Sequence, residues 1–295
     1  MSISVIGAGK WGQALQFALS EKNSVNISSR THRDIKNFVT LKKALSSNYL
    51  IITIPAQQIA SWLESNFKYS GQKILVAAKG IDAKDGRFLN EIYSKFLPAE
   101  STCFLSGPSF AVEVKNSLPG AVVINGVDEK LCNEFAELFP SFLKTYTSGD
   151  VIGAEISGAY KNVIAIAAGI CDGLSLGNNA RAALLSRGLI EMQRFGASYG
   201  AKMETFLGLS GAGDLFLTAS STLSRNYRVG LGLSKNRTIE DILEELGEVA
   251  EGIGTTNALK KIAKEKNIYL PIADEVYAVL NGKSVQQSLK DLLNS

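Results

Sequence analysis

The sequence predicts an α/β fold with two domains: an N-terminal, doubly wound, mainly parallel sheet and a C-terminal all-α domain. Three observations lead to this prediction. Short β-rich runs alternate with helical patterns up to about residue 150. The first run ends in a glycine-rich turn that opens a helix. Later segments show only helical patterns, separated by glycine-rich breaks. We therefore expect a dinucleotide-binding domain over residues 1–150 and a helical substrate domain over residues 151–295.

The N-terminal half contains seven β-rich runs. Strands that alternate with helices form right-handed βαβ units, which give a parallel sheet with helices on both faces. The runs are SISVIGA, VNISS, YLIITIP, KILVAAK, CFLSG, AVVING and SFLKTYTS, and the clearest helical patterns between them are WGQALQFALSEK and AQQIASWLESNF. In the second half, helices are predicted over 152–175, 179–200, 238–246, 252–266 and 272–280.

Composition excludes several classes of protein. A net charge of +3 with interspersed charges argues against a nucleic-acid partner or a polybasic membrane patch. The longest uncharged apolar run, VIAIAAGIC, is too short to span a bilayer, and no secretory signal is visible, so we expect no stable membrane insertion. Three cysteines, far apart in the sequence and odd in number, favour reduced thiols and a cytoplasmic location. The single His32 lies in a polar stretch, so we expect no metal site.

The first strand leads into GAGKWG, with glycines at positions 7, 9 and 12. A strand before this motif and a helix after it are the context of a Rossmann-type dinucleotide site. Gly7 permits the tight turn, Gly9 lets the backbone approach the pyrophosphate, and Gly12 lets helix and strand pack closely. The alternative is a glycine turn that binds no ligand.

The second strand ends without the acidic residue that usually binds the ribose hydroxyl of NAD. It offers Ser28, Ser29 and Arg30 instead, with Arg33 three residues later. A guanidinium group suits a 2′-phosphate, so the sequence favours NADP(H), with NAD(H) as an accepted second cofactor. The alternative, a solvated arginine in a turn, stays open above all for Arg33.

The fourth and fifth strands end in residues that suit a ligand at the carboxyl edge of the sheet. Lys79 follows the fourth strand, and the fifth ends in LSGPSFA, where Gly107, Ser109 and Ala111 form a small-residue turn into a helix. Small residues let a ligand lie against the backbone, although a plain βα turn has the same composition.

Lys161 lies in the helical segment EISGAYKNVIAIAAG, where no acidic residue stands at helical spacing from it. Hydride transfer to a ketone leaves an alkoxide that needs a proton, which an ammonium group supplies. The alternative is a lysine whose stem packs on apolar surface while its head reaches water. Asp214, after Gly-Ala-Gly, is a candidate helix cap or a hydrogen-bond partner of Lys161, and Thr218 lies one turn later on the same face.

Ser224, Arg225 and Asn226 form a polar cluster with hydroxyl, guanidinium and amide donors. Such a cluster suits the oxyanion of a phosphorylated substrate, although a surface turn would also carry it.

Taken together, the motifs resemble those of the bacterial NAD(P)-dependent glycerol-3-phosphate dehydrogenases. They are VIGAGKWGQAL, KG at 79–80, SGPSFAVEV, AYKNVIAIAAG, ALLSRGLIEM, GLSGAGDL, SRNYRVG and AEG at 250–252, and they occur in family order. One departure is the short segment DIKNFVTLKKALSSN between the second and third strands, which is longer in most of the family.

The resemblance implies reversible reduction of dihydroxyacetone phosphate to sn-glycerol 3-phosphate for phospholipid synthesis, with Lys161 as proton donor or acceptor. It also leaves a homodimer open. By this resemblance the substrate-binding residues are Lys79, Gly107, Ser109, Lys161, Asp214, Thr218, Ser224, Arg225 and Asn226. The cofactor-binding residues, with the glycines at 7, 9 and 12, are Trp11, Arg30, Lys79, Ala111, Arg225, Val249 and Glu251.

Two other functions would share part of this pattern. A 3-hydroxyacid or 6-phosphogluconate dehydrogenase would share the architecture and a helical lysine followed by asparagine, and only the substrate separates it. A non-catalytic NADP(H)-binding regulator would need no proton donor, so Lys161 and Asp214 argue against it.

Overall fold

The computed structural model describes residues 2–294 and divides into two compact units. The first consists of the chain up to Lys79 with Leu89–Ala154, and the second of Gly80–Phe88 with the chain from Glu155 onward. The sequence did not indicate that residues 80–88 lie with the second unit. The domains expected at 1–150 and 151–295 remain a prediction.

The first unit is built on one seven-stranded sheet, which confirms the predicted α/β class. Its order is β2-β1-β3-β4-β5-β6-β7, and neighbouring strands are parallel except for the antiparallel pair β5 and β6. The strands are β1 (Ile3–Ile6), β2 (Val25–Ser28), β3 (Tyr49–Ile52), β4 (Lys73–Val76), β5 (Thr102–Ser106), β6 (Gly120–Gly126) and β7 (Leu143–Ser148).

Helices cover both faces of this sheet, because several strands carry buried apolar residues on both of their sides. In β1, Ile3 and Val5 join one buried apolar cluster, and Ile6 joins the other. The sheet is therefore doubly wound, as predicted. The helices of this unit are α1 (Lys10–Ser20), α2 (Leu41–Leu45), α3 (Ala56–Asn66), α4 (Leu89–Tyr93), α5 (Ala111–Lys115) and α6 (Glu129–Leu138).

The second unit is helical, and none of its described residues lies in a β-strand. All five segments predicted as helical form helices. The elements are α7 (Val151–Gly173, which starts in the first unit), α8 (Gly177–Ala197), α9 (Met203–Leu207), α10 (Asp214–Thr218), α11 (Arg225–Leu233), α12 (Ile239–Leu246), α13 (Glu251–Lys266), α14 (Pro271–Leu280) and α15 (Val285–Leu293). Helix α7 is long and apolar enough to cross a bilayer, but 89% of its most apolar window is buried inside the protein, as in the central helix of a globular core.

Helices α7 and α11 cross in direct backbone contact. A Cβ built on Gly169 would lie 2.1 Å from the carbonyl oxygen of Tyr227, and one on Gly230 would lie 2.0 Å from that of Ile166. Only glycine fits at these two positions, and the contact brings the whole of α11 against the helix that carries Lys161.

Two of the three cysteines lie close together in the fold. Cys103 and Cys132 are far apart in the sequence, yet β5 and α6 place their buried Sγ atoms 3.5 Å apart. All three cysteines are free thiols.

Candidate active site

In the glycine turn after β1, two of the three glycines are required by the backbone conformation or by packing within the protein. Gly7 has a φ of +110°, and a Cβ on Gly12 would lie 1.8 Å from the Gly7 carbonyl oxygen. Thr53, at the end of β3, donates its hydroxyl to the carbonyl of Gly7 at 3.0 Å. A Cβ on Gly9 meets no atom of residues 2–294 within 4 Å. Packing within the described residues therefore does not require glycine at position 9, and the backbone there is open.

A buried hydroxyl without a partner lies beside this turn. Ser28 is fully buried at the end of β2, and its carbonyl accepts the N–H of Gly7 at 2.8 Å. Its Oγ has no hydrogen-bond partner among the described residues. Arg30, two residues later, is exposed. These groups suit the phosphates and ribose of a dinucleotide: the open backbone at Gly9, the unpartnered hydroxyl of Ser28 and the exposed guanidinium of Arg30.

Predicted residues at the ends of β4 and β5 meet at one carbonyl group. Lys79 Nζ and Ser109 Oγ each donate to the carbonyl oxygen of Gly107 at 3.2 Å. Gly107 has a φ of +96°, a conformation that favours glycine. Trp11 donates its indole N–H to the carbonyl of Ala77 at 2.9 Å, which fixes the ring near the start of α1. The N–H group of Trp11 is thus engaged by the protein.

Lys161 has an acidic partner that local spacing did not reveal. Its Nζ donates to Asp214 Oδ1 at 2.6 Å and to Thr218 Oγ1 at 2.8 Å. Thr218 also donates to Asp214 Oδ1, at 3.2 Å. Lys161 is 7% exposed and Asp214 2%, so the pair is buried and hydrogen-bonded. The alternative of a lysine with its head in water is wrong for this residue.

The segment before Asp214 contains Gly-Ala-Gly and is nevertheless regular. It forms a turn of π-helix, Leu209–Gly213, that runs directly into α10. A Cβ on Gly211 would lie 2.1 Å from the carbonyl oxygen of Phe206, so glycine is needed there for close packing. Turns of this kind are frequent at functional sites. The backbone is therefore constrained where it presents Asp214 to Lys161.

The polar cluster Ser224-Arg225-Asn226 forms the start of α11. Ser224 is the N-cap, and its Oγ accepts the N–H of Tyr227 at 3.2 Å. Arg225 is exposed and pairs with Glu248 at 3.2 Å. Asn226 is buried. A helix N-terminus with a guanidinium and an amide beside it is a favourable place for an anion.

The orientation of the Asn226 amide is set by the start of α13. Asn226 Oδ1 accepts the backbone N–H of Gly252 at 2.9 Å, which leaves the amide NH₂ as a donor on the other side. A Cβ on Gly252 would lie 2.8 Å from this Oδ1. Glu251 is the first residue of α13, and Val249 is 56% exposed just before it. The predicted cofactor residues Val249 and Glu251 thus lie just before Gly252, the residue that orients Asn226.

The sequence analysis missed residues that hold the candidate site residues in position. Thr53 holds the glycine turn, Gly252 orients Asn226, and three side chains connect the helices of the second unit: Asp172, Arg181 and Tyr227. The only available signal was that Asp172 lies eleven residues after Lys161, which is about three helical turns and thus the same face of α7. Tyr227 and Gly252 lie within the motifs SRNYRVG and AEG, but the sequence did not indicate their supporting contacts.

The predicted site residues form two groups, one in each unit. The glycine turn, Trp11, Arg30, Lys79, Gly107, Ser109 and Ala111 belong to the first unit, and Lys161, Asp214, Thr218, Ser224, Arg225, Asn226, Val249 and Glu251 belong to the second. The convergence of Lys79 and Lys161 on one ligand stays a prediction.

Comparison with known proteins identifies the family. Residues 26–132 match the model of the NAD-dependent glycerol-3-phosphate dehydrogenase N-terminus, and residues 150–290 match that of the C-terminus. Glycerol-3-phosphate dehydrogenase (NAD(P)+) of Sulfurimonas denitrificans is 65% identical over 293 residues, which cover 99% of both chains. The protein of the same name from Campylobacter jejuni serotype O:6 is 59% identical over 293 residues, again 99% of both.

A solved structure agrees with the sequence relatives. Glycerol-3-phosphate dehydrogenase of Coxiella burnetii superposes with a TM-score of 0.91 at 30% identity, covering 100% of this chain and 99% of that one. Both family models match, in order along the chain, and the similarity extends over essentially the whole described structure. The chain therefore belongs to the family of NAD-dependent glycerol-3-phosphate dehydrogenases.

Proposed function

We propose that this chain is a glycerol-3-phosphate dehydrogenase that interconverts dihydroxyacetone phosphate and sn-glycerol 3-phosphate with NAD(P)H. The bound nicotinamide supplies or accepts the hydride. The ammonium group of Lys161 gives a proton to the carbonyl oxygen in the direction of reduction. In the direction of oxidation, the neutral amine of Lys161 takes the proton from the hydroxyl group.

One observation carries the proposal: the buried hydrogen-bonded group of Lys161, Asp214 and Thr218. An ammonium ion that only snorkels needs no buried carboxylate. Burial of an ion pair costs free energy that an apolar pair of the same shape would avoid, so its presence favours a functional role. In this role Asp214 orients the amine toward the substrate oxygen, and Thr218 fixes the carboxylate.

The phosphate of the substrate is assigned to the start of α11. Arg225 supplies a guanidinium group, and the NH₂ of Asn226, oriented by Gly252, supplies a neutral donor. Ser224 caps the N-terminus of α11, and backbone N–H groups at a helix N-terminus favour an anion. Lys79, Gly107 and Ser109 are assigned to the substrate from the first unit.

NADP(H) is the preferred cofactor in this proposal, with NAD(H) also accepted. The glycine turn takes the pyrophosphate, and Ser28 and Arg30 replace the acidic residue that an NAD-specific site would place after the second strand. Trp11, Ala111, Val249 and Glu251 are assigned to the same ligand.

The test is a substrate panel with both nicotinamide cofactors, followed through the absorbance of the reduced cofactor. We expect oxidation of NADPH with dihydroxyacetone phosphate, more slowly with NADH, and none with a 3-oxoacid or with the product of 6-phosphogluconate oxidation. Binding of NADPH without turnover of any carbonyl substrate would instead support a non-catalytic regulator.

The cellular assignments are part of the same proposal. The enzyme acts in the cytoplasm as a homodimer and supplies glycerol 3-phosphate for phospholipid synthesis. Light scattering of the purified protein tests the dimer, and cell fractionation tests the location. Depletion of the protein should halt growth unless glycerol 3-phosphate is added to the medium; growth that does not depend on this addition would contradict the role in lipid synthesis.

A further inference from the structure

We propose that Asp172, Arg181 and Tyr227 form a positioning cluster that keeps α11 in register with the helices that carry the proton donor and its carboxylate. The side chains of the cluster bond to one another and to the carbonyl oxygen of Ala219. The cluster acts on the reaction by fixing where the start of α11, and hence the proposed phosphate site, stands relative to Lys161. The inference therefore rests on the proposed function.

The cluster begins on the helix of the proton donor. Asp172 lies on the same face of α7 as Lys161, about 16 Å further along the axis at 1.5 Å per residue. Its Oδ2 accepts the hydroxyl of Tyr227 at 2.5 Å and pairs with Arg181 NH1 at 3.1 Å. One carboxylate oxygen thus holds a residue of α11 and a residue of α8.

Arg181 extends the cluster to the helix that carries Asp214. Its NH2 donates to the carbonyl oxygen of Ala219 at 3.3 Å. Ala219 caps the C-terminus of α10 and directly follows Thr218. The guanidinium group therefore connects α7 and α8 with the end of α10, and a positive charge at this helix C-terminus is itself favourable.

Tyr227 provides the link to the proposed phosphate site. It stands in the first turn of α11, and its backbone N–H donates to the N-cap Ser224. Burial and the hydrogen bond to Asp172 raise the pKa of the Tyr227 hydroxyl to about 12, so this group stays protonated and donates at neutral pH. Tyr227 is only 8% exposed, so its hydroxyl relies on Asp172 for the hydrogen bond that water would otherwise provide.

The crossing of α7 and α11 explains why such a cluster is needed. The two helices touch backbone to backbone at Gly169 and Gly230, and one turn further along α7 the side chain of Ser234 fills the place that a Cβ on Gly173 would take. These packing contacts set how closely the two helices approach, and none of them is a hydrogen bond. A directional hydrogen bond between Tyr227 and Asp172, beside this contact, fixes the register.

The experiment compares Arg181→Gln and Tyr227→Phe with Lys283→Gln. Lys283 is a matched control because it also joins carboxylates from helices of the second unit, Glu275 and Asp291, at 2.6 Å each, and its side chain is 24% exposed against 27% for Arg181. The measurements are kcat, the KM for dihydroxyacetone phosphate and the melting temperature.

We expect the KM for dihydroxyacetone phosphate to rise about tenfold in Arg181→Gln and about threefold in Tyr227→Phe, the range of one or two hydrogen bonds. Arg181→Lys should recover part of the loss, because an ammonium group keeps the charge beside Asp172 while it loses the second contact to Ala219. Lys283→Gln should lower the melting temperature without a change in KM.

Loss of stability alone would lower the amount of active enzyme and leave KM unchanged, so KM separates positioning from folding. If Arg181→Gln and Tyr227→Phe keep the wild-type KM, as Lys283→Gln should, the positioning role is wrong while the proposed function stands. If the wild-type protein does not turn over dihydroxyacetone phosphate, the proposed function fails and this inference fails with it.

Discussion

The two units present their candidate groups to ligands in different ways. In the first unit the glycine turn is a backbone feature, held by Thr53 and by the contact between Gly7 and Gly12. In the second unit the decisive groups are side chains, and Lys161 finds Asp214 and Thr218 only through the tertiary fold. A backbone site is visible in a short stretch of sequence. A side-chain site whose partners are 53 and 57 residues away is not.

This contrast predicts that variants in the two units change different quantities, the affinity for the cofactor or the rate of the chemical step. Changes to the glycine turn should alter the affinity for the cofactor, because that turn meets only the cofactor in the proposal. Changes to Lys161 should alter the rate of the chemical step while the cofactor still binds. Variants that mixed these effects would show that the two regions do not act separately.

The largest effect is expected for Lys161→Ala. The variant removes the proposed proton donor, so kcat should fall by about 10³-fold, within the range that general acid–base groups contribute. The Kd for NADPH, measured by fluorescence titration, should stay within about twofold of the wild-type value, since a twofold change is only about 0.4 kcal/mol.

Lys260→Ala serves as the control for Lys161→Ala. Lys260 also pairs with an aspartate, Asp274, at 2.8 Å, but its side chain is 42% exposed. This variant should keep the wild-type kcat. A Lys161→Ala enzyme with near-normal turnover would exclude Lys161 as the proton donor.

The next effect concerns Gly9→Ala. A methyl group there meets no described atom of the protein within 4 Å, so the fold should be unchanged, but it would occupy the space that the pyrophosphate needs. We expect the Kd for NADPH to rise about 100-fold, equivalent to roughly 2.7 kcal/mol. Gly149→Ala is the matched control, because its Cβ is equally unobstructed and lies outside the motif. Equal affinities for NADPH in the two variants would remove the glycine turn from the cofactor site.

A smaller and more selective effect is expected for Arg30→Ala. The variant removes the proposed partner of the 2′-phosphate, so the Kd for NADPH should rise about tenfold, as for the loss of one charge-assisted hydrogen bond. The Kd for NADH should hardly change. Arg33→Ala separates the two arginines that the sequence offered. An equal loss of NADPH and NADH in Arg30→Ala would show that Arg30 does not bind the 2′-phosphate.

The smallest effect is expected at the amino ends of β3 and β4, where neither the cofactor nor the substrate is assigned. Glu134 pairs with Lys73 and accepts the hydroxyl of Tyr49 at 2.9 Å, and Lys73 lowers the pKa of the Glu134 carboxyl below its usual 4.5. A carboxyl whose pKa is lowered in the folded state stabilises the protein above pH 4.5, and this contribution disappears as the pH falls through the folded-state pKa.

Glu134→Gln should therefore lower the melting temperature by about 1–3 °C at pH 7, since a partly exposed pair contributes little. The difference from the wild-type protein should shrink as the pH falls below 4.5, and kcat at pH 7 should not change. A melting-temperature difference that stays constant down to acidic pH would show that the ion pair is not its source.

The sequence was sufficient for elements with a clear pattern and insufficient for short ones. The seven strands could be predicted, as could seven helices: α1, α3, α7, α8, α12, α13 and α14. Three helices of nine or ten residues were not among the predicted segments: α6, α11 and α15. Helices α2, α4, α5, α9 and α10 have five residues each, which is less than two turns and too short for a periodic face. The π-helical turn before Asp214 depends on packing against Phe206, which no local pattern reports.

The candidate site divides in the same way. Gly7, Gly9 and Gly12 could be found from a motif and its context. The residues of the second unit were identified mainly through the resemblance to a known family, because their meaning depends on partners distant in the chain. Supporting residues such as Thr53 and Arg181 lie in none of the quoted motifs, since their effect is transmitted through another residue.

Residues 80–88 determine how this protein can be divided into fragments. These nine residues leave the first unit directly after Lys79 and return to it at Leu89, with Phe88 fully enclosed and 5.1 Å from the ring of Tyr199. The polypeptide passes between the units three times instead of once. A C-terminal fragment that starts at Glu155 would lose Phe88 and leave an apolar hollow beside Tyr199. The two units of this enzyme therefore cannot be expressed as two fragments by dividing the chain at a single position. A chimera that exchanges the helical unit between relatives must include residues 80–88 as well.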